Sequence, residues 1–61
     1  AMNTEKLINR IKAVVKKYGP HNPQLNTLRE LYELYRTRRD PIAQTLLLHE
    51  ITNLEEGAPL Q

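Results

Sequence analysis

The stretch Asp40-Pro41-Ile42-Ala43-Gln44-Thr45-Leu46-Leu47-Leu48-His49-Glu50-Ile51-Thr52-Asn53-Leu54-Glu55-Glu56-Gly57 begins and ends as a helix should. An aspartate carboxylate can accept from the first free backbone amides, and a proline at the next position has no amide to leave unpaired. Gly57 and Pro59 mark the stop. Inside the stretch, Ile42, Ala43, Leu46, Leu47, Leu48, Ile51 and Leu54 recur every three or four residues. On a helical wheel they spread over roughly 240°, about twice the stripe a helix needs to cover one core. One face, around Leu47, Ile51 and Leu54, can pack inward. Ile42 and Leu46 on one flank, or Leu48 on the other, are then left without an obvious partner.

The same punctuation occurs once more upstream. In Tyr18-Gly19-Pro20-His21-Asn22-Pro23, Gly19 ends one helix and Asn22-Pro23 starts the next. The proline at 41 pushes its predecessor out of helical geometry, so the second helix stops near Arg38 or Arg39. Before the first mark, Leu7, Ile8, Ile11, Val14, Val15 and Tyr18 fall on one arc of roughly 120°. Between the marks, Leu25, Leu28, Leu31, Tyr32 and Tyr35 form a second stripe with Leu34 on its edge, and Arg29–Glu33 and Glu33–Arg36 have ion-pair spacing. No segment alternates with period two. The expectation is an all-α, small three-helix domain with helices at about 4–18, 23–38 and 41–56, in a chain that is a single domain over 1–61. Ala1 before Met2 reads as a tag remnant, and 57–61 as a loose tail. The stripes fit either handedness of packing.

Sixty-one residues without a cysteine have little core to draw on and no disulfide or thiolate metal site to supplement it. Phe, Trp and Ser are also absent, so the core is built from ten Leu, four Ile and two Val. A thin core together with an apolar surplus on helix three predicts self-association or docking of another protein there, because monomers rarely expose large apolar patches. The alternative places helix three centrally, covered by both others. No apolar run approaches the ~20 residues of a membrane span, and no secretory leader is visible, so a cytoplasmic location is expected.

Charge divides along the chain. Residues 1–39 hold all nine Lys and Arg against Glu5, Glu30 and Glu33, for +6; residues 40–61 hold Asp40, Glu50, Glu55 and Glu56, for −4. Part of this complements helix dipoles at the ends of helices one and two. The remainder fits docking of the acidic helix three on a basic neighbour, or a phosphate-binding surface made by Lys6, Arg10, Lys17, Arg36, Arg38 and Arg39. Base readout by helix three is disfavoured, since it offers no Lys or Arg and carries Glu50, Glu55 and Glu56.

Catalytic constellations are missing from the pattern. His49-Glu50-Ile51-Thr52-Asn53 has the first half of a His-Glu-x-x-His zinc helix, but Asn53 stands where the second ligand belongs, and His21 sits in a turn. Without Ser or Cys the common nucleophiles are lacking, and neither glycine belongs to a phosphate loop. The function expected is a small non-enzymatic regulatory or adaptor protein, without cofactor or metal. It binds another macromolecule, as a homodimer through Ile42, Leu46, Leu48 and His49. The second expectation is nucleic-acid binding without base-specific readout.

Overall fold

A computed structural model describes residues 3–60 of the chain. It contains α1 (Thr4–Tyr18), a 3-10 turn (Pro23–Leu25), α2 (Asn26–Arg38) and α3 (Pro41–Glu56), with no strand among the described residues. This is the all-α, three-helix domain expected from the sequence. The expected tag remnant at Ala1 lies outside the described residues.

Helices α1 and α3, and the 3-10 turn that leads into α2, each start where a short polar side chain can reach back to free amides. Asn3 Oδ1 accepts from Glu5 N at 2.9 Å, and Asp40 Oδ1 accepts from Ile42 N at 2.9 Å. Asn22 does the same for Gln24 N at 2.9 Å, while its Nδ2 donates to Tyr18 O at 3.1 Å, so one side chain joins the end of α1 to the start of the next element. What Asn22-Pro23 opens is a 3-10 turn that runs straight into α2, a tighter first turn than the single helix expected at 23–38. Helices α1 and α2 both stop on a left-handed residue: Gly19 at φ 97°, and Arg39 at φ 54°. Glycine takes that conformation freely, whereas Arg39 holds it against the usual steric cost.

With only two residues between them, α2 and α3 form a hairpin, and their backbones run closest of any helix pair. Helix α1 closes a triangle against this hairpin. From one flank of α1, Arg10 and Lys17 reach α3. From the other, Thr4 and Ile8 meet Tyr32, Tyr35, Arg36 and Arg39 around a cleft of about 80 Å³. These two flanks fix the handedness that the stripes left open. The core between the helices is aliphatic: Leu7 and Val14 of α1, Leu25 of the turn, Leu28 of α2, and Leu47, Ile51 and Leu54 of α3, joined by Tyr18. Arg29, spaced for Glu33, bonds instead to Asn26 Oδ1 and Pro20 O; Glu33 is held by Arg36. The 57–61 segment read as a loose tail is tied at Leu60, whose N donates to Gln24 Oε1 at 2.8 Å.

Leu47 and Ile51 are 0% exposed and Ile42 is 70% exposed. Leu47→Ala is therefore expected to lower the unfolding free energy by about 2–5 kcal/mol, from lost transfer energy and a residual cavity. Ile42→Ala should stay within about 0.5 kcal/mol of the parent chain. Urea unfolding followed by circular dichroism checks both; equal losses at the two positions would contradict this packing.

Candidate functional site

Of the hairpin's two broad faces, α1 covers one. At 100° per residue, Leu34 of α2 and both Ile42 and Leu46 of α3 point to the other. Leu34 is 39%, Leu46 47% and Ile42 70% exposed. Leu34 and Leu46 also lie nearly level with each other, about 6 and 7.5 Å from the helix ends at the hairpin turn at 1.5 Å per residue. They form one aliphatic patch across the seam between α2 and α3. The surplus apolar surface foreseen on α3 is thus exposed at two of its three positions. Leu48 is not among them: it turns to the α1 side, half-buried against the core. His49 is exposed on the patch side of α3, one turn beyond Leu46. Apolar spacing alone puts Leu34 only on the edge of its stripe. Its wheel position, 60° past Leu31 and away from α1, was the available signal, but that signal has meaning only once the side occupied by α1 is known.

The six cations read as a phosphate-binding surface separate into two groups. Three are bonded within the chain. Arg10 grips Glu55 through Nε at 2.9 Å and Nη2 at 2.8 Å, and Nη2 also reaches Thr52 Oγ1 at 3.4 Å. Lys17 Nζ donates to the backbone oxygens of Leu54, Glu55 and Gly57 at 3.1, 2.8 and 2.6 Å. Arg36 pairs with Glu33 at 2.9 Å. Lys6, Arg38 and Arg39 are exposed and form no ion pair among the described residues, but they do not make one surface: Lys6 lies near the start of α1, on the flank turned from α2.

Lys17, in the last turn of α1, closes α3. The last carbonyls of a helix have no intrahelical donor. Here the ammonium of Lys17 and the hydroxyl of Tyr18, which donates to Leu54 O at 2.8 Å, supply donors from a neighbouring helix. Tyr18 is buried and its hydroxyl is spent inside the protein, whereas Tyr32 and Tyr35 are half-buried. Gly57 leaves room for this cap, because a Cβ there would come within 2.9 Å of Tyr18 Oη and 3.1 Å of Asn53 O.

The Arg10–Glu55 pair is bidentate but exposed. Hydrogen bonding to Arg10, aided by its charge and that of Lys17, holds the Glu55 carboxyl below the usual carboxylate range, and the Arg10 guanidinium is raised in turn. Among the described residues, no three His, Cys, Asp or Glu side chains gather as a metal site would require. Nor is any helix long and apolar enough to cross a membrane. Compared with known proteins, the chain matches no family model, no curated protein and no solved structure.

A carboxyl whose pKa is lowered on folding stabilises the fold above its unfolded pKa, and that contribution fades as pH falls through the folded value. Glu55→Gln should therefore flatten the acid limb of the stability–pH curve below about pH 4.5, while costing less than about 1 kcal/mol at neutral pH because the pair is solvated. Urea titrations at several pH values, with parent and variant compared, measure both effects; an unchanged acid limb would contradict the assignment. At the other end of the same cap, Gly57→Ala is expected to cost about 1 kcal/mol by displacing the Tyr18 hydroxyl from Leu54 O, and Tyr18→Phe added to that variant should cost little more.

Proposed function

We propose that this chain is a small, non-enzymatic regulatory or adaptor protein that acts by binding another macromolecule, as a homodimer through α3. The observation that carries this reading is the pair Ile42 and Leu46, standing in solvent side by side on α3 and continued by Leu34 across the seam. Each side chain alone would be unremarkable on a protein surface; three together on a flat hairpin face make a contact site. The thin aliphatic core supports it too, because a domain this small gains most from burying further surface against a partner. Binding of a phosphate backbone is the weaker reading, since Arg10, Lys17 and Arg36 are already engaged within the chain.

Light scattering across micromolar to millimolar protein is expected to show the mass rising from one chain to two, and Leu46→Glu should keep it at one. A parent chain that stays monomeric throughout would sink the homodimer. Should the nucleic-acid reading hold instead, the chain would bind single or double strands with an affinity that falls steeply as salt rises, whereas an apolar interface is nearly indifferent to salt.

A further inference from the structure

The outer face of the hairpin carries charge as well as aliphatic side chains, and the charges are placed symmetrically. On α2, Glu30, Leu34 and Arg38 follow one another at four-residue steps, so the acid and the base stand about 6 Å to either side of Leu34 along the helix. Both charged side chains are exposed, and neither belongs to an ion pair among the described residues. On α3, Leu46 stands nearly level with Leu34, within about 2 Å of the same distance from the hairpin turn. A stripe of acid, leucine and base, read in reverse, is its own complement.

We infer that the partner for this face is a second copy of the chain, packed antiparallel about a two-fold axis that crosses the helices at Leu34 and Leu46. Each Arg38 then meets the partner's Glu30. This rests on the homodimer reading above and specifies its geometry. In a two-fold contact the same patch serves both copies, so whatever lies a given distance on one side of the axis faces what lies the same distance on the other. With the axis across the helices, α2 lies over α2 and α3 over α3. Leu34 and Leu46 meet their own copies at the centre, and the two Arg38–Glu30 pairs close one edge. Ile42, near the turn, comes over the His49 end of the opposite α3. An axis parallel to the helices does the reverse: it sets both turns at one end, with Arg38 and Arg39 of the two copies side by side, and like charges brought together disfavour association.

The size of the patch makes the charges matter. Three aliphatic side chains on a face about 20 Å long fall short of the ~800 Å² that each partner buries in a stable complex. The apolar contact draws the copies together only weakly, and the charge pattern sets their direction.

Charge exchange tests this directly. Both positions are exposed, so Glu30→Arg and Arg38→Glu should retain the helical circular dichroism of the parent. Glu30→Arg leaves two bases on the stripe and Arg38→Glu two acids. Each alone should raise the dimer dissociation constant about tenfold, from two symmetric pairs turned repulsive. Mixed in equal amounts they should form a heterodimer as tight as the parent dimer, because every acid then faces a base. The chain carrying both substitutions should recover its own homodimer, and Leu34→Glu, at the axis, should lose it. Sedimentation equilibrium with one variant fluorescently labelled reads all of these. A parent dimer whose two variants associate no better mixed than apart overturns the antiparallel geometry and leaves the homodimer reading in place. A parent chain that is monomeric at millimolar concentration overturns both.

Discussion

The C-terminal carbonyls of α3 need donors that α3 does not itself provide, and α1 provides them. Lys17 donates to three backbone oxygens there, and Tyr18 reaches Leu54 O from within the core. An ammonium near a helix C-terminus also meets the negative end of the helix dipole. These bonds, with Arg10 on Glu55, hold α1 to one side of the hairpin. The aliphatic core contributes most of the burial, but it is indifferent to direction; the polar contacts select which hairpin face α1 covers. Gly57 is part of the same arrangement, since any side chain there would press on the Tyr18 hydroxyl.

The exposed patch follows from that choice. Three helices in a triangle have one shared interior, and none of the described elements covers the outer face of the α2–α3 hairpin. Leu47 and Ile51 disappear into the interior while Leu46, adjacent in sequence to Leu47, is left 47% exposed. Leu48, on the opposite flank, escapes the same fate only because α1 lies on its side. Rotating α1 to the other face would exchange the two residues' environments without altering the sequence at all.

Charge shows a parallel division. The basic first two helices and acidic third suggested a broad positive surface, yet much of the opposition in sign is resolved inside the chain, through Arg10 and Lys17 at the end of α3 and Arg36 on Glu33. Among the charges left exposed, Arg38 and Glu30 flank Leu34 on the open face. A net charge of +2 conveys little about this; the positions of individual side chains on the helices convey a great deal.

Helix limits were legible in the sequence because they rest on local chemistry. Asn22 and Asp40 cap, Pro23 and Pro41 open, and Gly19 closes, each acting within a few residues of itself, while the Asn3 cap of α1 came from the structure. Apolar spacing likewise identified Leu7, Val14, Leu28, Leu47 and Ile51 as inward-facing, since a helix carries its side chains around at a constant angle. The surplus on α3 could be counted from the same wheel. Which part of that surplus stays in water could not be, nor could the true partners of Arg10, Lys17 and Tyr18. Those depend on the side of the hairpin that α1 occupies, a relation between residues about forty positions apart that no local rule encodes. The chain by itself determined three capped helices with more apolar surface than one interior can hold; only the tertiary packing decided that Leu34, Ile42 and Leu46 would be the residues left outside, because burial is settled by which neighbour arrives and not by the helix that carries the side chain.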